Sequence, residues 1–545
     1  MNFARFLSSV SLGYLLLFSA SSLAQTLYLI GGSLKTCSSQ STQNCSEKVN
    51  FDSAAKRQQL FLVHDLTLNA VNEKWPTHNT QHKHRTRKLL NAIKSKKLYS
   101  KSALIAAIKQ QDSYLYKRWS NEEYYFVFDM LEVPVLHEQS RAKEQVLTQF
   151  NNEPASTEIL NDIVKTLKQQ NNAKLLLSTA SSRDPYESAD FYQGLFSAYD
   201  IEATWFALTP ALAKAISNND CDNLDIYRNK LNNVFNRELV YPDLTSRERA
   251  LCEKGIDNLT QEIKNAGGMM FNGGDQSLTK QVMVDTQTGK AFPWLKVIQN
   301  RPVLIGTSAG TAVQSGGKNT YGQVPMITNG TSLSALESGA FAKAPPKQNC
   351  QQHGGCDALP HDALTYDSRG GLGSFHFGIL DTHFSERGRT PRLAVLLAET
   401  GQKWGFGVDE TTALKVETAV NKFSVLGKQG IVLLEKLSHH SFFYNFYPTG
   451  SEFILKQNMD VFSERKVKER VGHSEDLIYD GLIRERLRAF CADDITSLIN
   501  KEQGIKSKEL IFRKLEQTSC ELLDHRMKIE NLLMEIDLLS RAKVN

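Results

Sequence analysis

The 545-residue sequence has no run of about 20 apolar residues after its first 24 positions, no Cys-x-x-Cys pair and little net charge. The first absence excludes a transmembrane helix from that part of the chain, and the second argues against the common zinc-binding patterns. A formal charge of +5 is small for this length, so the charge balance predicts no nucleic-acid partner. Hydrophobic residues make up 41% of the chain and charged residues 23%, which is typical of a globular protein with a sizeable core. We expect neither a metal ion nor a cofactor.

The N-terminus has the pattern of a secretory signal peptide. Arg5 precedes an apolar stretch at residues 10–18, and a small-x-small sequence ends at Ala24. A basic start, a short apolar core and such a cleavage site predict a signal peptide over residues 1–24, cut after Ala24. The alternative is a membrane anchor, for which the apolar stretch is too short. We therefore expect a secreted or periplasmic protein with no transmembrane segment after cleavage.

The eight cysteines fall into four sequence-local pairs. An even count in an exported protein indicates disulfides, whereas the irregular spacings disfavour a zinc site. Eight cysteines allow on the order of a hundred pairing schemes, and among these we favour pairing between sequence neighbours. The predicted bonds are Cys37–Cys45, Cys221–Cys252, Cys350–Cys356 and Cys491–Cys520.

Short apolar runs that end in glycine or small polar residues alternate with helical patterns along much of the chain. The predicted strands lie at residues 26–32, 174–180, 203–208, 268–271 and 303–305. This alternation predicts an α/β fold with a mostly parallel sheet flanked by helices. Residues 25–460 would form this domain, with a helical insertion at about residues 50–172, and residues 461–545 a helical C-terminal region. Ligands in such folds bind at the carboxyl ends of the strands.

Residues 306–310 read Gly-Thr-Ser-Ala-Gly and follow the apolar run 303–305. A serine on a tight strand-to-helix turn needs small residues two positions to either side of it. Such a turn also brings the hydroxyl close to backbone N–H groups that can face developing negative charge. Ser308 is therefore a candidate nucleophile, although the motif alone is a weak signal.

His383 is the candidate base for this serine. It follows a short apolar run at residues 378–380, so we expect it at the same sheet edge as Ser308. Three arginines come soon after it: Arg387, Arg389 and Arg392. Because guanidinium groups bind carboxylates in bidentate geometry, they predict a pocket for an anionic substrate. The alternative, a solvated loop in which the arginines pair with nearby glutamates, is equally favoured by the arginines alone.

These residues together resemble the S51 serine peptidases, and among them the cyanophycinases. The matching segments follow the family's order: residues 30–32, 178–181, 271–276, 306–310, 381–392 and 407–413. The resemblance implies a flavodoxin-like or class I glutamine amidotransferase-like fold. It also implies an exopeptidase, of a kind that is either secreted or cytosolic, that cuts cyanophycin, a poly-aspartate bearing arginine on its side-chain carboxyls, or related aspartyl and β-aspartyl peptides. The products would be dipeptides such as β-Asp-Arg.

The resemblance also implies roles for individual residues. Ser308 would be the nucleophile and His383 the general base of an acyl-enzyme mechanism. The backbone N–H groups of Gly274 and Ala309 would form the oxyanion hole. The substrate site would be lined by Gln276, Asp381, Thr382, Arg387, Arg389 and Arg392. The position of Thr382 is commonly glutamine in this family, so one polar contact differs here.

The third member of the catalytic group departs from the family pattern. The family places a carboxylate shortly after the serine, but no acidic residue occurs here between Ser308 and Glu337. Gln323 is the nearest polar candidate; its amide would orient His383 but would stabilise an imidazolium less well than a carboxylate. The alternatives are slower catalysis, or a carboxylate such as Asp367 supplied by the inserted loop.

Two other functions stay open. An α/β-hydrolase esterase shares the serine motif, but its His-Gly-Gly oxyanion loop normally precedes the serine, whereas residues 353–355 follow it. A degenerate S51-fold binding protein would explain the missing carboxylate, though not the intact serine, histidine and arginines. The insertion and the C-terminal region have no counterpart in short family members. They are candidates for capping the cleft, binding the polymer or forming a homodimer interface.

Overall fold

The computed structural model describes residues 25–347, 350–352, 356, 358–455, 470–478, 481–501 and 509–537. The predicted signal peptide and the His-Gly-Gly sequence at 353–355 lie outside these residues. In the part of the chain that is described, no helix is both long enough and apolar enough to cross a membrane. Two large sheets dominate the structure.

The first of these, here called the central sheet, has eight strands. In spatial order they are Glu452–Ile454, Lys422–Gly427, Thr412–Glu417, Thr26–Ile30, Val303–Thr307, Gly268–Phe271, Leu175–Ser178 and Ala203–Trp205. The last five are parallel to one another, and the first three pair in antiparallel fashion. The molecule is therefore an α/β protein whose central sheet is mixed.

Four of the five parallel strands of the central sheet are buried on both faces, whereas the edge strand Ala203–Trp205 is only partly buried. In the strand Thr26–Ile30, Leu27 and Leu29 contact one apolar cluster, while Tyr28 and Ile30 contact the cluster on the opposite face. Helices on both faces exclude water, so both sets of side chains are apolar and the strand reads as an uninterrupted hydrophobic run. This is why these four parallel strands were recognisable in the sequence as apolar runs.

Helices cover the two faces of the central sheet. The helices Pro210–Ser217, Pro242–Glu253 and Gly255–Asn265 contribute to one apolar cluster, and Pro154–Lys168 contributes to the other. Four further helices within residues 50–172 pack around an apolar core of their own: Asp65–Glu73, Thr80–Ala92, Lys101–Arg118 and Asn121–Leu131. The helix Pro154–Lys168, expected within the insertion, thus belongs to the α/β core instead.

Most of the remaining elements are short, but the helices Thr390–Thr400 and Leu482–Ala492 have 11 residues each. The other α-helices are Ala189–Gly194, Leu224–Tyr227, Arg237–Val240, Gln276–Gln281, Leu295–Gln299, Ala309–Ala312, Ser332–Ser338, Thr390–Thr400 and Leu482–Ala492. Short 3-10 or π turns lie at Thr42–Asn44, Thr148–Phe150, Cys221–Asn223, Arg228–Asn232 and Cys350–Gln352. Small sheets contain the strands Leu60–Phe61, Tyr99–Ser100, Glu132–Val133, Leu136–His137, Ser140–Arg141, Lys318–Asn319, Gly322–Gln323, Met326–Asn329, Ala340–Phe341 and Leu364–Asp367.

The second sheet has nine strands. Eight follow the spatial order Ile379–Thr382, Trp404–Val408, Gly430–Lys436, Ser441–Pro448, Arg526–Ile536, Glu509–Arg513, Ser497–Lys501 and Val471–Glu475, and Ser519–Leu523 pairs with Arg526–Ile536. Five of these strands come from the C-terminal region, whose described residues contain one helix, Leu482–Ala492. The prediction of a helical C-terminal region was therefore wrong. The strand Glu509–Arg513 alternates buried residues with partly exposed ones, but charged side chains at the partly exposed positions hide this two-residue period.

All four predicted disulfides are present. The bonds are Cys37–Cys45, Cys221–Cys252, Cys350–Cys356 and Cys491–Cys520. They join residues 8, 31, 6 and 29 positions apart, so each closes a local loop. A chain stabilised in this way is typical of an oxidising compartment.

Candidate active site

Ser308 lies on a sharp turn between the strand Val303–Thr307 and a short helix. Its φ of 54° and ψ of −115° are a strained backbone conformation for a residue with a side chain. The turn is possible because both flanking glycines lack Cβ atoms. A Cβ on Gly306 would lie 2.1 Å from the carbonyl oxygen of Gly310, and one on Gly310 would lie 2.1 Å from that of Phe271. Backbone strain of this kind is usually retained at functional sites.

The imidazole of His383 faces the hydroxyl of Ser308, with 2.7 Å between Nε2 and Oγ. His383 follows the strand Ile379–Thr382 at the edge of the second sheet, so the two residues come from different sheets rather than from one. The backbone N–H of His383 donates to the carbonyl of Gly31, 2.9 Å away. A Cβ on Gly32 would lie 2.3 Å from the imidazole Cε1. The glycine turn after the first strand therefore both holds the histidine loop and makes room for its ring.

Glu410 completes a chain of three polar side chains. One of its carboxylate oxygens, Oε1, lies 2.7 Å from Nδ1 of His383, and the side chain is 30% exposed. Because a carboxylate only accepts hydrogen bonds, Nδ1 carries the proton and Nε2 can accept one from Ser308. This is the arrangement of a serine–histidine–acid triad. Sequence reasoning missed Glu410, although it lies just beyond the strand Trp404–Val408, within the segment 407–413 on which the sequence resemblance partly rests.

Gln323 does not occupy the third position. Its side-chain amide donates to the carbonyl oxygen of Arg369 at 2.9 Å and more weakly to that of Val324. The alternative, Asp367, pairs with Lys280 and Arg369. Both of these candidates lie between Ser308 and His383 in the chain, whereas the acid comes from a loop beyond His383.

The surroundings of His383 favour its neutral form. Burial lowers the pKa of His383, the charges of Arg387 and Arg389 lower it further, and the hydrogen bond to Glu410 opposes them only in part. For Glu410, burial raises the pKa, but the hydrogen bonds from His383 and Ser33 outweigh it, so that the pKa lies below its usual value. At neutral pH, a neutral imidazole thus lies between a hydroxyl and an ionised carboxylate.

Four residues predicted to contact substrate are packed around one another. Asp381 accepts from Nε and Nη2 of Arg392 at 2.8 and 2.5 Å, and from Arg389 at 3.3 Å. Arg389 also donates to the carbonyl oxygen of Thr382 at 2.6 Å. Asp381 is 1% exposed, Thr382 4% and Arg392 4%. Arg389 and Arg392 are thus paired with a carboxylate of the protein, as the alternative interpretation of the arginines predicted. Their partner is Asp381, however, and not one of the nearby glutamates.

Arg387 differs from the other two arginines. Its side chain is exposed, and no hydrogen bond or ion pair of its guanidinium is found among the described residues. Its backbone N–H donates to the carbonyl of His383 at 3.2 Å, and its charge lowers the pKa of both His383 and Glu410. An exposed positive charge therefore lies beside His383 and Glu410.

The two predicted oxyanion groups border the serine. A Cβ on Gly273 would lie 3.3 Å from the Cβ of Ser308, which places the turn 273–274 against the side chain of Ser308. The N–H of Gly274 has no acceptor within the described ranges. Ala309 is the first residue of its helix, so its N–H has no partner inside that helix. Gln276, predicted to contact substrate, donates instead to the carbonyls of Ile327 and Thr328.

No group of three or more His, Cys, Asp or Glu side chains among the described residues is arranged to hold a metal ion. Ser308 is hydrogen-bonded to the imidazole of His383, which is in turn bonded to the carboxylate of Glu410, and the charge of Arg387 acts on both of these groups. Together they can move a proton to and from the serine and bind an anionic atom nearby.

Comparison with known proteins finds weak similarity to cyanophycinases. Those of Trichormus variabilis and of a Nostoc species are each 28% identical to this chain over 203 residues, which is 36% of this chain and 54% of the relative. The chain thus spans about half the length of the curated relatives it matches. No family model matches the sequence. A crystal structure of a peptidase from an acI-B1 Actinobacterium covers 55% of this chain and 92% of its own, with a TM-score of 0.33 and 16% identity. The sequence similarity supports a distant relationship to a peptidase family.

Proposed function

We propose that this chain is a serine-type peptidase with Ser308 as nucleophile, His383 as general base and Glu410 as the acid that orients the base. The observation that carries this proposal is the unbroken line of contacts, 2.7 Å from Ser308 Oγ to His383 Nε2 and 2.7 Å from His383 Nδ1 to Glu410 Oε1. A serine hydroxyl is a weak nucleophile until a neighbouring base takes its proton. Here a neutral base is already within hydrogen-bond distance.

In the proposed reaction, Ser308, His383 and Glu410 carry out two steps, acylation of the serine and hydrolysis of the acyl-enzyme. His383 takes the proton of Ser308 as Oγ attacks the substrate carbonyl, and Glu410 stabilises the imidazolium that forms. The N–H groups of Gly274 and Ala309 would stabilise the oxyanion of the tetrahedral intermediate. Its collapse breaks the amide bond, and His383 gives its proton to the leaving amine. Water, deprotonated by His383, then hydrolyses the acyl-enzyme and restores the serine.

The substrate class follows from the charge beside the site. Arg387 offers an exposed guanidinium with no partner among the described residues, and guanidinium groups bind carboxylates strongly in bidentate geometry. The curated relatives carry the name cyanophycinase. We therefore assign this chain to the hydrolysis of cyanophycin or related aspartyl and β-aspartyl peptides, with dipeptides such as β-Asp-Arg as products.

Export is part of the same proposal. The four disulfides suit an oxidising compartment, and the pattern over residues 1–24 is that of a signal peptide. N-terminal sequencing of the protein recovered outside the cytoplasm should begin at Gln25. Recovery of a reduced chain that begins at Met1 would contradict export.

The two alternative functions make different predictions. The degenerate binding protein was favoured by the lack of an acid for His383, and Glu410 now supplies one. An esterase would use the same serine and histidine, but would cleave simple esters far better than β-aspartyl-arginine amide bonds. The ratio of the two rates separates them.

The decisive experiment is incubation of the purified protein with cyanophycin, followed by mass spectrometry for β-Asp-Arg. We expect release by the wild type, none by Ser308→Ala or His383→Ala, and an unchanged rate for Gln323→Ala. A fluorophosphonate probe that labels Ser308 excludes the binding-protein alternative. Absence of both release and labelling in the correctly oxidised protein would refute the proposed function.

A further inference from the structure

A buried arginine of the C-terminal region joins the two loops that carry His383 and Glu410. Arg484 lies in the first turn of the helix Leu482–Ala492 and is 8% exposed. Its Nη1 lies 2.8 Å from Oδ2 of Asp409 and 2.8 Å from Oε1 of Glu386. Asp409 directly precedes Glu410 in the chain, and Glu386 is three residues beyond His383.

The two carboxylates carry this connection on to the backbone of both loops. The second oxygen of Glu386 accepts from the backbone N–H of Glu410 at 3.1 Å. The second oxygen of Asp409 accepts from the backbone N–H of Ser385 at 2.9 Å. Each loop therefore binds the other through a carboxylate, and the guanidinium of Arg484 holds both carboxylates at once. The distance between His383 and Glu410 depends on the relative position of these same two loops.

The positive charge of Arg484 stabilises the two carboxylates of Glu386 and Asp409. Asp409 is fully buried, and its burial and the negative charge of Glu386 raise its pKa to about 6, while Arg484 opposes them. Two carboxylates brought together inside a protein repel each other unless a cation lies between them. Without Arg484, the loops would separate or one carboxylate would take up a proton.

The C-terminal region contacts the loop of His383 close to Arg484. A Cβ on Gly388, in the histidine loop, would lie 1.4 Å from the carbonyl oxygen of Ile478, so the two backbones are in direct contact. The disulfide Cys491–Cys520 ties the far end of the helix to the strand Ser519–Leu523. The guanidinium is thus presented by a helix that has a backbone contact shortly before it and a disulfide at its far end.

We propose that Arg484 is a positioning residue for catalysis, and that the C-terminal region serves to set the geometry between His383 and Glu410. It acts through Glu386 and Asp409 and does not contact the reacting atoms. The inference rests on the proposed peptidase function. It gives the C-terminal region a task other than polymer binding or dimer formation.

The experiment measures the rate at which a fluorophosphonate probe labels Ser308, per correctly folded molecule. We expect Arg484→Ala to slow labelling by about 10–100-fold, because small misplacements of catalytic groups have effects of this size. Its kcat with a peptide substrate should fall by the same factor while KM stays within about twofold. Guanidinium ion at millimolar concentration should restore part of the rate in Arg484→Ala, which a purely structural role of the side chain would not produce.

A second variant and a matched control complete the test. Glu386→Ala removes the contact to the N–H of Glu410 but leaves the pair of Arg484 and Asp409, so it should slow labelling even if Arg484→Ala fails to fold. Arg486→Ala removes an exposed arginine of the same helix and should label like the wild type. A wild type that neither labels nor hydrolyses peptides would refute the proposed function itself. If the probe labels the wild type, and labels Arg484→Ala and Glu386→Ala at the same rate as the wild type, the positioning role alone would be refuted.

Discussion

Nδ1 of His383 and Oε1 of Glu410 lie 2.7 Å apart, although the two residues follow different strands of the second sheet. Those strands, Ile379–Thr382 and Trp404–Val408, are parallel neighbours. Both residues therefore emerge at the same end of the sheet. The central sheet contributes Ser308 from a third strand end, so the site is assembled where the two sheets meet.

The first prediction concerns the acid. Glu410→Gln should lower kcat by about 10³–10⁴-fold with little change in KM, because an amide neither fixes the correct tautomer of His383 nor stabilises the imidazolium. Steady-state kinetics with a β-aspartyl-arginine substrate measure both constants. Gln323→Ala serves as the control, since its side chain bonds elsewhere. A large loss of rate in Gln323→Ala and none in Glu410→Gln would instead favour Gln323 as the third member of the catalytic group, as the sequence alone predicted.

Much of this site was predictable because its signals are local. The glycines around Ser308 and the strand before it occur within a few residues of one another, and the strand is apolar throughout because both its faces are buried. His383 was recognisable by its place after a short apolar run. The disulfides also follow from sequence neighbourhood. In each case, the residues that carry the signal are close together in the chain.

Other features depended on contacts between distant segments. Glu410 becomes the partner of His383 only because the second sheet places the two strand ends side by side. The burial of Arg392 against Asp381 could not be inferred from three arginines in a polar loop. In the C-terminal region, strands such as Arg526–Ile536 carry lysine and glutamate at partly exposed positions, so the sequence resembled a charged helix.

The second prediction is the pH dependence of kcat/KM. The reaction needs neutral His383, and burial and the nearby arginines place its pKa below the ordinary value of 6.5. Activity should therefore persist below pH 6.5 and fall only as His383 is protonated at lower pH. Arg387→Gln removes a positive charge and should move this acid limb to higher pH, whereas Glu410→Gln should move it to lower pH. Arg369→Gln is the control: this arginine is paired with Asp367, so its loss should leave the acid limb of the pH profile unchanged. An acid limb above pH 6.5 in the wild type would contradict the assignment.

The third prediction concerns substrate binding by Arg387. Because its guanidinium is exposed beside His383 but does not take part in the proton transfers, Arg387→Ala should raise KM more than it lowers kcat. The proposed contact between Arg387 and a substrate carboxylate can be tested with a substrate whose free carboxylate is converted to an amide. The wild type should lose affinity for this amide by about tenfold or more, while Arg387→Ala should bind both substrates about equally weakly. If the variant still discriminates between them as the wild type does, another group binds the carboxylate.

The fourth prediction concerns the turn that carries Ser308. A Cβ on Gly310 would lie 2.1 Å from the carbonyl oxygen of Phe271 and 2.7 Å from that of Asn272. Gly310→Ala must therefore displace the backbone that leads into the turn 273–274. We expect a loss of labelling at Ser308 together with a decrease in the free energy of unfolding of about 2–4 kcal/mol, measured by denaturant titration.

Gly255→Ala is the matched control for this substitution. Gly255 has a φ of +80°, and no described atom lies within 4 Å of the position that a Cβ would take there, so alanine meets only the strain of the left-handed conformation. That strain costs about 1–2 kcal/mol, and activity should be unchanged. The comparison separates steric overlap at the turn from backbone strain in general. Equal losses of stability with activity retained in both variants would show that the close approach of Gly310 to the strand Gly268–Phe271 is not what holds Ser308 in place.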